Sequence, residues 1–280
     1  MPKYYCTNCN FRSIRENKYC EHMIECKDKS KKKINYLFPN RKIYFITYGD
    51  KNFKLSKQRL YNKAIYSDFL THCEKLGPDD LNNEFRTKFK NILNEKQGGG
   101  YWIWKPYIIY KKLQQLKEND FLIYLDAGCT INLNGRNRFI EYLNMLEHSP
   151  HGILSFETFH KEKHFTNKHL FDYLKIDIDS DIANSKQLIG GILIIKKNDN
   201  SLNIFSKILE ILNKDPYLFT NKYNDINKIK DFKFHRHDQS VLSIIRKKYK
   251  TIILKDETYF TNFLLHNSIK FPFFATRIRK

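Results

Sequence analysis

FLIYLDAGCTIN, residues 121–132, decides how this chain is interpreted. Residues 121–125 are an apolar run that ends at Asp126, and the small residues Ala127 and Gly128 follow. An apolar run of this length is typical of a buried strand. The Asp–Ala–Gly end favours a simple turn when it is taken alone, because Asp and Gly are common turn residues. The alternative is a ligand site, because ligands of open α/β sheets bind at the carboxyl ends of the strands.

Elements of both kinds surround this strand. From residue 42 onward, short apolar runs alternate with amphipathic helical patterns, which predicts an α/β domain with a mostly parallel sheet. We expect strands at 42–48, 121–126, 152–156, 187–197 and 251–254. We expect helices at 56–69, with Ser56 as N-cap, at 82–95, after GGGYWIWKP (98–106), at 137–147, at 202–212 and within 235–249.

Composition limits the class of protein. The chain has 280 residues, 41% of them hydrophobic and 15% aromatic, which is typical of a folded protein rather than a disordered one. Its formal charge of +20 admits an anionic partner, although the basic residues are spread along the whole chain. No apolar run approaches the length needed to span a bilayer, and no secretory signal precedes the domain, so we expect a soluble, cytoplasmic protein.

Cysteines concentrate at the N-terminus, in CTNCNFRSIRENKYCEHMIEC (6–26). The spacing C-x2-C-x12-H-x3-C predicts a structural Zn²⁺ site in a module of residues 1–30, and its four ligands would be Cys6, Cys9, His22 and Cys26. Cys20 is a rival ligand. Such a module is able to contact nucleic acid, contact protein or cap the fold. Residues 31–40 are expected to be a basic linker to the domain of residues 41–280.

Common α/β enzyme motifs are missing from the main domain. The dinucleotide fingerprint G-x-G-x-x-G and the phosphate loop G-x-x-x-x-G-K-[ST] do not occur, and neither does the hydrolase elbow G-x-S-x-G. The sequence therefore lacks the main motif that would indicate a dehydrogenase, a P-loop enzyme or an α/β-hydrolase.

Six segments together resemble the GT-A type glycosyltransferases of bacteria and large DNA viruses. In order they are YFITYGD with LSKQRL (44–60), GGGYWIWKPYII (98–109), NDFLIYLDAGCTIN (119–132), FTNKHLFDYL (165–174), NSKQLIGGILIIKK (184–197) and HRHDQSVLS (235–243). The resemblance covers residues 42–280. It implies a GT-A (nucleotide-diphospho-sugar transferase) fold, an α/β fold with a mixed, mainly parallel central sheet, and a cytoplasmic location, in the host cell if the protein is viral.

The resemblance implies transfer of a hexosyl or N-acetylhexosaminyl group from a UDP-sugar to a glycan, glycoprotein or other hydroxyl acceptor. In this family a D-x-D motif binds Mn²⁺ or Mg²⁺, which holds the donor diphosphate. Asp126 is the matching metal ligand, but Gly128 stands where the second carboxylate is expected. His266 is a candidate C-terminal ligand, although a lone histidine is more often structural.

The resemblance also implies roles for other residues. Asp238 and Gln239 match an acidic–amide pair near the donor sugar of retaining enzymes, and retention is expected for that reason. Glu157 is a candidate for orienting the acceptor, with a solvated strand end as the alternative. Candidate donor-binding residues are Thr47, Tyr48, Arg59, Trp104, Lys105, Gly190 and Gly191. Their alternatives are an ordinary surface arginine for Arg59, core packing for the tryptophans Trp102 and Trp104, a helix cap for Asp238 and a plain strand entry for the glycines.

A rival function comes from a different class. A zinc finger and a basic surface are also expected in a nucleic-acid-binding protein whose α/β domain is catalytically degenerate. Steeply salt-dependent binding of DNA or RNA without affinity for UDP-sugars would favour that alternative.

Overall fold

A computed structural model of the chain describes residues 4–6, 12–15, 18, 21–22, 34, 37–226, 229–263 and 267–279. Within these ranges no helix combines the length and the apolar character that crossing a membrane requires. The strands are β1 (Tyr4–Tyr5), β2 (Arg12–Ser13), β3 (Ile43–Tyr48), β4 (His72–Leu76), β5 (Phe121–Leu125), β6 (Thr130–Ile131), β7 (Ile153–Lys161), β8 (Lys186–Leu188), β9 (Ile192–Lys196), β10 (Ile252–Leu254) and β11 (Phe273–Phe274).

Helices alternate with these strands as expected for an α/β domain. They are α1 (Lys54–Tyr66), α2 (Asn83–Lys88), α3 (Lys90–Leu93), α4 (Gly98–Tyr101), α5 (Trp104–Gln115), α6 (Arg136–Glu147), α7 (Lys168–Tyr173), α8 (Asp181–Asn184), α9 (Asp199–Lys214) and α10 (Asp238–Lys248). Short 3-10 turns lie at Lys51–Phe53, Pro78–Asp80, Leu133–Gly135, Glu162–His164 and Pro216–Phe219.

The described residues form a seven-stranded mixed sheet with the order β10-β7-β9-β5-β3-β4, and β8 pairs with β7 outside this path. The pairs β10·β7, β5·β3 and β3·β4 are parallel, whereas β9 runs antiparallel to both of its neighbours. The α/β class and the mainly parallel core of the mixed sheet are therefore confirmed. The stretch expected as one strand at 187–197 is instead two strands, because the chain turns at 189–191.

The central strand β5 is buried along its whole length, and the sheet carries an apolar core on each face. One core includes Leu122 and Tyr124 and packs against helices α5, α9 and α10; the other includes Ile123 and packs against α1 and α6. The alternation of side chains along a strand explains this division. Burial on both faces leaves the carboxyl end of β5 as the place where its chain meets solvent.

Two helix predictions need correction. The first helix begins at Lys54, and Ser56 lies inside it with its hydroxyl donating to the Phe53 carbonyl, so Ser56 is not the N-cap. The helix expected at 82–95 is two short helices, because the chain leaves helical geometry at Phe89. Asn82 caps the first of them by accepting from the Phe85 N–H.

The N-terminal region is described only in part. Strands β1 and β2 pair antiparallel, as a zinc knuckle would require, but Cys9, Cys20 and Cys26 lie outside the described residues. The zinc site therefore stays a prediction. Ile34 and Phe38, within the expected linker, are buried in the core beside α1 and α6. That part of the chain packs on the main domain.

Candidate functional site

Two adjoining cavities lie at the carboxyl end of β5. The larger has a volume of about 550 Å³ and the smaller about 270 Å³. They share a wall formed by Trp102, Asp126, Ile189, Gly191, Gln239, Ala275 and Arg277. Ligand cavities of this size at a sheet's carboxyl edge are the usual binding sites of α/β proteins. The shared wall makes the two cavities one candidate site.

A buried lysine joins the carboxylates of two distant segments at this site. The Lys105 ammonium lies 2.6 Å from Asp238 Oδ2 and 3.3 Å from Asp126 Oδ1, and it donates to the Gly190 carbonyl at 3.3 Å. The Lys105 side chain is only 3% exposed. Burial lowers the pKa of Lys105, but the charges of Asp126 and Asp238 outweigh that effect, so its pKa lies above the ordinary value. The lysine is charged at neutral pH.

Asp238 is the most buried carboxylate of the site. Burial raises the pKa of Asp238 to about 6, while the Lys105 ammonium opposes that rise. The group is therefore ionised at pH 7. It is the first residue of α10, one position after the N-cap residue His237, so Asp238 is not the N-cap itself.

Asp126 is fixed by its neighbours. The Tyr124 hydroxyl donates to Asp126 Oδ1 at 2.6 Å, and the Asp126 N–H donates to the Gly191 carbonyl at 2.8 Å. Burial first, and the Asp126 charge second, hold the pKa of Tyr124 well above its ordinary value, so the phenol stays a donor. The turn at residue 126 and the candidate ligand site are therefore the same structure: the turn presents the carboxylate to both cavities.

Glycine at 191 is required by this carboxylate. A Cβ at position 191 would lie 2.6 Å from Asp126 Oδ2. We expect Gly191→Ala to push the Asp126 carboxylate aside and to weaken ligand binding in the cavities about 10-fold or more, since a displaced charged hydrogen-bonding group loses about 1.5–3 kcal/mol. Titration calorimetry with the UDP-sugar that the sequence resemblance implies measures this.

The matched control for that substitution is Gly77→Ala, a glycine that borders neither of the two cavities and has ordinary backbone geometry. It should bind as the parent does. Equal binding by Gly191→Ala would mean that the placement of Asp126 has no part in ligand recognition.

Gln239 is held at both ends of its amide. Its Nε2 donates to Gln187 Oε1 at 2.9 Å, and its Oε1 accepts from the Gly190 N–H at 3.2 Å. Buried Glu162 in turn accepts from Gln187 Nε2 at 2.9 Å and pairs with Lys247 at 2.7 Å. The amide therefore faces the cavities from a fixed position.

The GGGYW stretch, which includes α4, is a single left-handed helical turn. Residues 98–102 all have positive φ, from 54° to 94°, including the non-glycine residues Tyr101 and Trp102. Consecutive left-handed residues are costly, which explains the three glycines. Tyr101 and Trp102 contact the His237 ring at centroid distances of 5.1 and 5.6 Å. The turn thereby joins the GGGYW and HRHDQ segments beside the cavity.

Aromatic side chains line one end of the smaller cavity. The rings of Tyr48 and Trp104 stack at 3.8 Å between centroids, and Trp104 Nε1 donates to the Gly98 carbonyl at 3.1 Å. Asp50 borders the same end. Trp104 is thus both a core residue, 5% exposed, and a wall of the cavity.

Several predicted site residues lie elsewhere. Thr47 is fully buried in β3 and borders neither cavity. Arg59 is behind the 127–130 loop, where its guanidinium donates to the Cys129 carbonyl at 2.7 Å, so it supports the loop and does not face the cavities. Glu157 lies 3.7 Å from Lys186 and borders neither cavity, whereas its neighbour Thr158 lines the larger one. His266 is outside the described residues.

The described residues do not fit a divalent cation. Asp126 shares its carboxylate with Lys105 and Tyr124, and Gly128 supplies no oxygen ligand from a side chain. A Cβ at position 128 would lie 3.1 Å from the Arg277 Cα, so a carboxylate side chain there would require the segment around Arg277 to shift. Across the part of the chain that is described, no group of three or more His, Cys, Asp or Glu side chains is arranged to hold a metal ion.

Sequence reasoning missed the basic residues of the site. Arg277 borders both cavities, Arg279 the smaller one and Arg236 the larger one. Arginines in a chain with 50 Lys and Arg residues carry no distinguishing pattern. For Arg236 a signal existed, because it lies inside the HRHDQ segment. His235 and His237, in the same segment, do not add charge, since burial lowers their pKa to about 3 and about 4.

The site thus has three chemically different parts: an aromatic end, a basic wall and a floor of buried carboxylates and amides. Such a surface can bind a ligand that is aromatic at one end, anionic in the middle and rich in hydroxyl groups at the other end.

Comparisons with known proteins give matches only among solved structures. Neither the protein-family models nor the curated proteins include a match. The chain is similar to a glycosyltransferase involved in the glycosylation of the major capsid of PBCV-1, with 12% identity over 83% of this chain and 92% of that chain and a TM-score of 0.46. The chain is also similar to mouse xyloside xylosyltransferase 1, with 13% identity over 78% of this chain and 87% of that chain and a TM-score of 0.41. A third similar structure is galactosyltransferase LgtC in complex with donor and acceptor sugar analogs, with 13% identity over 78% of this chain and 75% of that chain and a TM-score of 0.38.

Proposed function

We propose that the protein is a glycosyltransferase that transfers a sugar from a nucleoside diphosphate sugar to a hydroxyl acceptor. The observation that carries this proposal is the pair of adjoining cavities that meet at Asp126, with a basic and aromatic side on one part and buried carboxylates on the other. The donor would lie along them in the order base, diphosphate, sugar. The sequence resemblance to GT-A enzymes implies the same chemistry independently of these cavities.

The nucleoside belongs at the aromatic end of the smaller cavity. Tyr48, Trp102 and Trp104 line that cavity with aromatic surface, and Asp50 offers a carboxylate that is able to accept from ribose hydroxyls. The sequence resemblance implies a UDP-sugar donor, so we propose that the nucleoside in this cavity of about 270 Å³ is uridine.

The sugar belongs where the cavities meet the buried carboxylates. Asp126, Asp238 and Gln239 border the larger cavity and carry oxygen acceptors that suit sugar hydroxyls. Gly190 and Gly191 add no side chains and allow the sugar to approach the backbone closely. We propose a hexose or N-acetylhexosamine donor on this basis. The hydroxyl acceptor enters the larger cavity past Phe159, which is 73% exposed and offers a stacking surface for a sugar ring.

The reaction exchanges one bond for another at the anomeric carbon. The bond from that carbon to the diphosphate oxygen breaks, a bond to the acceptor oxygen forms, and the acceptor proton ends on the departing nucleoside diphosphate. The carboxylates of Asp126 and Asp238 are both engaged by Lys105, so neither is an unpaired base for the acceptor. We therefore propose retention of anomeric configuration, with the departing diphosphate as the base.

The test is a thermal-shift screen of UDP-sugars and other nucleoside diphosphate sugars, followed by assay of donor hydrolysis. A ligand at about 100 times its Kd stabilises the folded state by about 2.7 kcal/mol, which raises Tm by about 5–10 °C for a domain of this size. We expect at least one UDP-sugar to reach that shift and to be hydrolysed.

Single-stranded and duplex DNA are included in the same screen. No shift with any nucleoside diphosphate sugar, together with salt-sensitive binding of DNA, would contradict the proposal and support the nucleic-acid-binding alternative.

A further inference from the structure

The segment of residues 275–279 crosses the site at the place where a second metal-binding carboxylate would stand. The Gly128 carbonyl accepts from Thr276 Oγ1 at 2.7 Å and from the Ile278 N–H at 2.9 Å. With the Arg277 Cα only 3.1 Å from a Cβ built on Gly128, the segment itself crowds that position. The glycine at the second position of the D-x-D motif is therefore the residue against which this segment packs.

The segment is firmly attached to the domain. Strand β11 pairs antiparallel with β6, which directly follows the Asp126 turn. The Thr276 and Thr130 hydroxyls lie 2.9 Å apart, and the Ala275 N–H donates to the Thr258 carbonyl at 2.8 Å. The position of the segment beside Asp126 is therefore part of the fold.

This attachment places two exposed arginines at the cavity wall. Arg277 borders both cavities and Arg279 the smaller one. Among the described residues, no carboxylate forms an ion pair with either guanidinium. Arg277 also has a left-handed backbone, with φ of 56°, a conformation that non-glycine residues seldom adopt and that clusters at functional sites. The Arg277 guanidinium lies over the Tyr259 ring at 5.8 Å, and within the described residues neither charge is neutralised by a carboxylate.

A third arginine adds to the same charge. Arg236 stacks on the Phe165 ring at 3.9 Å, and its Nη1 lies 3.3 Å from Gln187 Oε1, so its guanidinium is fixed in the wall of the larger cavity. Burial first, and the nearby charge of Arg277 second, lower the pKa of Arg236 to about 10. The Arg236 guanidinium therefore remains charged at neutral pH, and an anion bound between the three arginines would relieve their repulsion.

We propose that Arg277 and Arg279 bind the donor diphosphate in place of a resident divalent cation. The inference rests on the proposed function and specifies how that site holds its donor. Guanidinium groups match phosphate oxygens in a two-point geometry, and they provide positive charge without a metal ligand set. At Asp126 the cation next to the carboxylate is the Lys105 ammonium, at 3.3 Å.

The experiment is calorimetric titration of UDP and of uridine in the presence of EDTA, then with Mn²⁺ added. The parent protein should bind UDP in EDTA, and Mn²⁺ should change the Kd by less than about threefold. Arg277→Asn should weaken UDP binding about 10-fold or more and leave uridine binding within about twofold, because only the diphosphate loses a charge-assisted contact. Asparagine tolerates the left-handed backbone, so the segment keeps its course.

Arg279→Gln should weaken UDP binding in the same selective way. Lys111→Gln is the matched control, because it removes one exposed positive charge that borders neither cavity. It should bind UDP as the parent does.

The outcomes separate the two proposals. UDP binding that appears only with Mn²⁺, or that is unchanged in Arg277→Asn, overturns the arginine assignment and leaves the glycosyltransferase proposal standing. Absence of UDP and uridine binding under both conditions overturns the proposed function itself, and with it the assignment.

Discussion

Asp126→Asn is expected to lower kcat/KM for sugar transfer and for donor hydrolysis about 100- to 1,000-fold, while the protein stays folded. Asparagine keeps the size of the side chain and an oxygen that accepts from Tyr124, so the turn is preserved. The lost charge lies 3.3 Å from Lys105 and borders both cavities, where a fixed charge acts most strongly on a polar reaction. Removing one such preorganised group costs about 2.7–4 kcal/mol in other enzymes.

Steady-state kinetics measures this loss, and thermal melting checks the fold. Lys105 keeps Asp238 at 2.6 Å in the variant, so Tm should stay close to that of the parent. Asp179→Asn provides the matched control, because that aspartate is exposed and borders neither cavity. A variant Asp126→Asn that transfers sugar as fast as the control would show that the reaction takes place elsewhere.

Much of the fold could be predicted because its signals are local. Residues 121–125 are apolar without interruption and form the fully buried β5, and Pro106 follows closely on the start of α5. The predicted boundaries of helices and strands were wrong where tertiary contacts determine them. The chain breaks at Phe89 within a continuous helical pattern, and the strand expected at 187–197 is divided because residues 189–191 form part of the cavity wall.

The candidate site was predictable only as far as motifs carried it. Asp126, Lys105 and Asp238 were each singled out from separate segments, and the structure joins them through one ammonium group. That the lysine bridges two carboxylates 112 positions apart in sequence is a property of the sheet topology, which no local pattern shows. The sequence motifs therefore identified the residues but not their arrangement.

The misplaced residues have a simple geometric cause. Successive side chains of a strand point to opposite faces of the sheet. A prediction that is wrong by one position therefore selects a side chain that points away from the cavity. Glu157 meets Lys186, whereas Thr158 lines the larger cavity. Likewise Thr47 is buried, whereas Tyr48 lines the smaller cavity. A sequence can place the end of a strand without fixing which of two adjacent residues faces the ligand.

Lys105→Met is expected to produce the largest loss of stability among these variants, about 3–5 kcal/mol at pH 7.5. The ammonium is the ion-pair partner of Asp238, whose side chain is 6% exposed, and removing one member of a buried pair leaves the other charge uncompensated. Urea denaturation of the parent and the variant measures the difference. Lys111→Met, on the same helix but exposed, is the matched control and should change stability by less than about 0.5 kcal/mol.

The loss should also depend on pH, with a sign set by Asp238. In the parent its folded pKa of about 6 lies above the reference value of 3.8, so its contribution to stability is complete below pH 3.8 and falls as pH rises to 6. Without Lys105 the folded pKa of Asp238 rises further, because burial then acts unopposed. The variant therefore loses stability over a wider pH range than the parent as pH rises. The difference in free energy of unfolding between the parent and the variant should become smaller when the pH is lowered from 7.5 to 5. A double variant, Lys105→Met with Asp238→Asn, should recover part of the loss and show little of this narrowing. If the difference in free energy of unfolding from the parent is constant with pH and is unchanged in the double variant, then lost packing, not the uncompensated carboxylate, destabilises the protein.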